Sequence, residues 1–162
     1  MKKTDAEIFE EKYNRYGDML YRIAFLYLSN AQDAEDVLQE VFIKLLYSSS
    51  EFKSSEHEKA WLIRVTQNQC KNLLRSPKRK NCSVEDLQLA AESENNDLKL
   101  DVVRQVTALP LKIKEAVILY YYCGYSVALT AKILKTGKSA VKMRLKKGRE
   151  LLKISLEDYE YE

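Results

Sequence analysis

Apolar residues in this chain recur every three and four positions, and residues that turn a chain sharply hardly occur. Phe9, Tyr13, Tyr16, Leu20, Ile23, Ala24 and Tyr27 share one face of a helix over residues 5–28, because a helical turn brings such spacings into register. Val37-Leu38, Val41-Phe42 and Leu45-Leu46 repeat every four residues as a second stripe, with Asp36, Gln39, Glu40 and Lys44 opposite. Four Gly and two Pro in 162 residues are too few for a turn-rich β sandwich or barrel. The expectation is an all-α chain.

Helix ends follow from local chemistry. Gly17 weakens the middle of the first helix and so allows a bend there. Asn30 is a good N-cap for the second, and Asp33, Glu35 and Asp36 lie where the helix dipole favours anions. A third helix is expected from about Glu58 to Arg75, ending before Pro77. Its inward set is read as Ala60, Trp61, Ile63, Val65, Leu73 and Leu74. Three such helices make a small antiparallel bundle, near the lower size for a stable core.

The second half reads as four shorter helices. Residues 98–109 are amphipathic through Leu98, Val102, Val103, Val106 and Leu109. Pro110 opens a mostly apolar helix running to Tyr122, since the first turn needs no amide there. Gly124 ends it, and Ser126 caps the next, with Val127, Thr130, Ala131, Ile133 and Leu134 available for packing. After Lys135-Thr136-Gly137, a last helix runs from Lys138 to about Ile154. Val141, Leu145, Gly148 and Leu152 face inward, and Lys138, Ser139, Lys142 and Lys146 lie along another face. A helix, a short turn and a basic helix form the helix-turn-helix pattern. Lys147 and Arg149 are better placed for phosphates or for packing ion pairs.

The net charge of +3 is unevenly spread: +2 over residues 1–80, −5 over 81–101 and +6 over 102–162. Residues 132–153 hold nine basic side chains and one acid, and residues 71–80 hold five basic side chains and none. Two basic patches separated by an acidic segment fit two contacts with a polyanion joined by a tether that avoids it. Residues 81–97 are rich in Ser, Asn, Glu and Asp, with one short helical turn capped by Ser83, and are expected to be flexible.

Other chemistries find little support. The longest uncharged apolar run, residues 116–123, is far short of a bilayer span. The chain opens Met-Lys-Lys-Thr-Asp, without the apolar stretch of a signal peptide, so a cytoplasmic protein with no membrane insertion is expected. Cys70, Cys82 and Cys123 form no CxxC, and His57, in a polar stretch read as a loop, is the lone histidine. No P-loop, GxGxxG or HExxH occurs. Neither a metal, a cofactor, a small-molecule substrate nor a catalytic residue is expected.

Particular words in the sequence then become recognisable. Asp33-Ala34-Glu35-Asp36-Val37-Leu38-Gln39-Glu40-Val41-Phe42, then Ala60-Trp61-Leu62-Ile63-Arg64-Val65-Thr66-Gln67-Asn68 with Arg75 following, resemble two segments of bacterial RNA polymerase sigma factors. Ala108-Leu109-Pro110 resembles the opening of their last domain, and Tyr125-Ser126, Ala131 to Leu134 and Ser139 to Arg149 resemble its helix-turn-helix. Order and spacing match over roughly residues 9–156, and the short two-domain layout is similar to the extracytoplasmic-function (ECF) group. The resemblance implies a region-two-like helical domain over residues 1–80, a flexible acidic linker over 81–99 and a region-four-like helix-turn-helix domain over 100–162.

It also implies a function: binding core RNA polymerase, directing it to promoter DNA and assisting its opening, without catalysis. The resemblance assigns the polymerase contact to Asp33, Asp36, Gln39 and Glu40. It assigns the minus-ten element to Trp61, Arg64, Asn68, Lys71, Asn72 and Arg75, where melted bases need polar edges, cations and a stacking surface; Trp61 is readable either as that surface or as core. The minus-thirty-five element falls to Lys138, Ser139, Lys142, Arg144 and Lys146. An anti-sigma factor is a further partner implied by resemblance alone. Leu129 and Thr130 stand where the family often has Glu and Ile, Lys135 replaces its usual turn glycine, and Asn72 stands at a common Asp position. Two other readings stay open: a self-sufficient helix-turn-helix regulator with a sensing or dimerising N-terminal bundle, and a polymerase-binding module without base readout.

Overall fold

The computed structural model describes residues 3–48, 51–76 and 97–152. Every element among them is helical, as expected, and the chain divides into two compact units between Asp86 and Leu87. Of the expected tether, residues 97–99 already belong to a helix. The rest of it, with Ser83, Cys82, Lys78, Arg79 and Lys80, lies outside the described residues.

The first unit is a three-helix bundle of α1 (Asp5–Leu28), α2 (Ala31–Tyr47) and α3 (Ser55–Leu74), each packed on the other two. Thr4 and Glu7 close a capping box on α1: each side chain accepts from the other's backbone N–H at 3.2 Å. The helix continues without a break through Gly17, so no separate segment forms there. Ser29 takes the left-handed conformation (φ 55°) and donates its N–H to the Phe25 carbonyl at 2.8 Å. The next residue, Asn30, caps α2 by accepting from Asp33 N–H at 2.9 Å. One residue therefore reverses the chain between two long helices. The core joins Leu20, Ile23, Ala24 and Tyr27 of α1 to Val37, Val41 and Phe42 of α2 and Leu62 and Ile63 of α3. Leu46, expected on the inner stripe, is instead 54% exposed, because it turns about 100° away from the buried Leu45 toward the outer side of α2.

The third helix departs most from expectation. Ser54 caps it by accepting from His57 N–H at 3.1 Å, so it starts three residues early. His57 therefore sits in its first turn rather than in a loop, and its Nδ1 accepts from Lys53 N–H at 3.2 Å. Its buried side comprises Leu62, Ile63, Thr66, Gln67 and Cys70, while Ala60, Trp61, Val65, Leu73 and Leu74 are only half-buried. The polar members are satisfied internally. Thr66 Oγ1 donates to the Leu62 carbonyl at 2.7 Å, and Gln67 Nε2 donates to Tyr27 Oη at 2.7 Å. A buried polar group with a partner costs little, so the packing face here carries few apolar residues. Glu58, also buried, pairs with Lys12 of α1.

The second unit contains α4 (Asp97–Thr107), α5 (Leu111–Val117) continuing as a π-helical turn (Ile118–Tyr122), α6 (Val127–Leu134) and α7 (Lys138–Leu151). Pro110 is the N-cap of α5 rather than a member of its first turn. The π turn was not expected: Cys123 N–H reaches back five residues to Ile118 O at 2.9 Å. Gly124 then takes φ +77°, as expected for the residue that ends the segment. Ala116, Val117, Ile118 and Leu119 are buried, and Thr130, Ala131, Val141 and Leu145 complete the centre. Helix α7 closes at Leu151, short of Ile154, with Leu152 N–H on Gly148 O at 2.9 Å.

Candidate functional site

Each unit presents a polar helix face whose position follows from the burial of the opposite one. On α2, Asp36, Gln39 and Glu40 are exposed and Asp33 half-buried. Asp36 Oδ1 accepts from Gln32 Nε2 at 3.1 Å. The same outer stripe continues at helical spacing into Ile43, Leu46 and Tyr47, which are 44%, 54% and 85% exposed. Acidic and amide groups at one end thus adjoin an apolar end that no described residue of the unit covers. Beside it, Tyr13, Asn14, Gly17, Asp18 and Tyr21 of α1 and Glu35, Leu38 and Gln39 of α2 line a cleft of about 410 Å³. The repeat of apolar pairs places Leu46 inward and hides this apolar end, although Ile43 and Tyr47 follow Gln39 and Glu40 by four and seven residues.

On α3 the candidate residues form one stripe. At about 100° per residue, Trp61, Arg64, Asn68, Lys71, Asn72 and Arg75 span an arc of roughly 100°, facing away from Leu62, Thr66 and Cys70. Arg64, Asn68, Asn72 and Arg75 are exposed, and Trp61 and Lys71 half-buried. Trp61 packs edge-on against Phe52, with ring centroids 5.5 Å apart. Lys12 Nζ lies 5.8 Å from the Phe52 ring centre. The indole is neither fully core nor free-standing: one edge is held by a loop aromatic that the sequence did not single out.

On α7 the candidates separate. Val141, Leu145, Gly148 and Leu152 are buried as expected. Lys138, Ser139, Lys142 and Lys146 are exposed together on one side. Arg144 lies on the other flank of the buried seam and is half-buried, so α7 does not bring it to the lysine face. Arg149 Nη1 donates to Tyr121 Oη at 3.0 Å, tying the helix to the π turn, and Lys147 lies 3.9 Å from Glu150.

The turn before α7 keeps a regular geometry despite its unusual residue. Lys135 takes the left-handed conformation (φ 55°, ψ 48°), and Thr136 N–H reaches the Ala131 carbonyl at 2.9 Å, closing the helix as a glycine would. Gly137, at φ −84°, needs no glycine freedom.

Comparison with known proteins matches residues 13–80 to the Sigma-70 region 2 family and residues 99–152 to the Sigma-70 region 4 family. The chain belongs to the sigma-70 family, in its ECF group. This sigma factor is 28% identical over 150 residues to the ECF RNA polymerase sigma factor SigM of Mycobacterium tuberculosis, covering 91% of this chain and 76% of SigM. It is 26% identical over 175 residues to the ECF sigma factor SigW of Bacillus subtilis, covering 98% and 94%. Its fold is similar to CnrH, solved with the cytosolic domain of CnrY (TM-score 0.68, 24% identity, covering 91% and 86%). The sigma factor RpoE of Bartonella quintana, solved with the anti-sigma factor NepR, is equally close in fold (TM-score 0.68, 23% identity, covering 90% and 94%). Among the described residues no helix is long and apolar enough to cross a membrane.

Proposed function

We infer that this sigma factor binds core RNA polymerase, directs it to specific promoters and assists their opening, as an initiation factor in the cytoplasm without catalysis of its own. The observation that carries this reading is the coincidence of the two matched regions with two helical units whose exposed faces differ in chemistry. The outer face of α2 combines Asp36, Gln39 and Glu40 with Ile43, Leu46 and Tyr47. An exposed apolar patch adjoining polar groups suits a protein partner, and the polymerase contact is assigned there. The α3 stripe offers cations for phosphates, amides for base edges and a partly exposed indole for stacking, and is assigned to the melted minus-ten element. The lysine face of α7 suits duplex DNA in a major groove, and is assigned to the minus-thirty-five element. Residues 1–80 and 100–162 are accordingly the two working domains, and an anti-sigma factor is proposed as the inhibitory partner.

Run-off transcription with purified core polymerase tests this. Replacing Lys138, Lys142 and Lys146 by Ala should weaken promoter use and leave polymerase binding nearly intact. Replacing Asp36 and Gln39 by Ala should weaken polymerase binding first. Equal loss in both assays for both variants contradicts the division of labour. Tight, salt-dependent operator binding by the chain alone would favour a self-sufficient regulator instead.

A further inference from the structure

The outward face of α7 is not uniformly cationic. Met143 is 72% exposed, the most exposed large apolar side chain among the described residues of the second unit. Measured from Lys138 at about 100° per residue, the buried Val141, Leu145, Gly148 and Leu152 occupy roughly 280–340°, and Met143 lies near 140°. It therefore points almost directly away from the seam that docks α7 on its own unit. Its helical neighbours on that face are Ser139 one turn before and Lys146 and Lys147 one turn after, all exposed. A lone exposed apolar residue is ordinary on a protein surface. Glu150 shares this face two turns later, 3.9 Å from Lys147; in the first two turns, which sit deepest when a helix enters a groove, Met143 has Lys138, Ser139 and Lys142 as its exposed neighbours.

Resting on the reading of α7 as the helix that enters duplex DNA, we propose that Met143 is a specificity-determining residue that reads a thymine 5-methyl group in the upstream promoter element. The side chain can neither donate a hydrogen bond to a base edge nor neutralise a phosphate. The apolar feature that base pairs display in the major groove is the thymine methyl. An unbranched thioether, with three rotatable bonds, adapts to such a group without demanding one backbone geometry. The lysines around it supply sequence-independent attraction, so discrimination at this base falls to Met143.

The test uses holoenzyme reconstituted from the full chain and core polymerase, on a promoter located by mapping its transcript starts. Each thymine of the upstream element is replaced singly by deoxyuridine, which removes the methyl group and leaves base pairing unchanged. For the native chain, one such replacement should slow open-complex formation about fourfold, the worth of one buried methyl-sized group. Met143→Ala should show a similar loss on the thymine promoter and no further loss on the deoxyuridine one. Met143→Gln, similar in length but polar, should behave as Met143→Ala does. Indifference of the native holoenzyme to every replacement, or unchanged sensitivity in Met143→Ala, overturns the proposal while leaving the sigma-factor function in place. Failure of the holoenzyme to initiate at any promoter would overturn that function, and the proposal with it.

Discussion

Thr130 is fully buried in α6, and its Oγ1 finds no hydrogen-bond partner. A hydroxyl desolvated in this way costs about 1–3 kcal/mol, and a methyl group of nearly the same size carries no such cost. Thr and Val differ little in helix propensity, so Thr130→Val isolates the oxygen. We expect a gain of roughly 1–2 kcal/mol in the second unit. Hydrogen exchange of α6 and α7 amides in the full chain reads this directly: about 1.4 kcal/mol is a tenfold slower exchange for amides that open with the whole unit. Thr130→Ser supplies the opposite sign, since it keeps the hydroxyl and deletes a packed methyl, and should speed exchange. If both substitutions speed exchange, the hydroxyl has a partner and the reasoning is wrong. The expected gain also bears on the departure from the family at this position: restoring an apolar side chain should strengthen the helix that presents α7.

Three further outcomes follow from close contacts and backbone geometry. A Cβ on Gly148 would lie 2.8 Å from Val117 Cγ2 and 3.2 Å from Ile113 Cγ2; overpacking against two stiff β-branched side chains should outweigh the helix-propensity gain, so Gly148→Ala loses about 1 kcal/mol, and most of that cost should vanish in a Val117→Ala background when unfolding is followed by hydrogen exchange. Lys135→Gly removes a left-handed lysine and should stabilise the second unit by about 1 kcal/mol while lowering the salt dependence of promoter binding if that lysine contacts phosphate. Gln67→Leu removes the 2.7 Å hydrogen bond from Gln67 Nε2 to Tyr27 Oη in the bundle core and should cost about 0.5–1.5 kcal/mol, read through the fluorescence of the single tryptophan, Trp61, in the same unit; the Tyr27→Phe, Gln67→Leu double variant should lose less than the sum of the two single losses.

Much of the fold could be read from spacing and caps, because those signals are local. Asn30 and Ser126 sit where their side chains meet orphan amides, and the α7 seam of Val141, Leu145, Gly148 and Leu152 is plain in the residue order. The buried side of α3 was hidden because Gln67 is made acceptable by Tyr27, forty residues earlier. No window around Gln67 contains that information. The left-handed Ser29 and Lys135 were equally hidden, since neither residue type favours positive φ and each is held there by the helices it separates. The π turn over Ile118–Tyr122 likewise depends on where the chain must arrive next: Tyr125 N–H reaches Leu119 O at 3.0 Å, and Gly124 supplies the reversal. On the candidate faces, helical spacing places Lys138, Ser139, Lys142 and Lys146 on one side of α7, whereas the family resemblance adds Arg144, which lies on a different side of the helix. Charge counting passes over Met143 because an uncharged residue adds nothing to a sum.

The unusual Lys135 links these points into one argument about how α7 is aimed. Two constraints orient it: the turn from Lys135 through Gly137, and the close approach at Gly148, where α7 meets Ile113 and Val117 of α5. Neither depends on the exposed lysines. The turn keeps its hydrogen bonds although lysine replaces the family's usual glycine, so the departure appears as a backbone penalty of about 1–2 kcal/mol rather than as a different shape. Under the proposed reading of α7 as the helix that meets duplex DNA, its exposed side chains are free to change with the promoter, because the helix is held by its buried seam and its turn. On that reading Ser139 and Met143 carry sequence preference and the lysines general attraction, while Gly148 and the Lys135 turn determine where those side chains point.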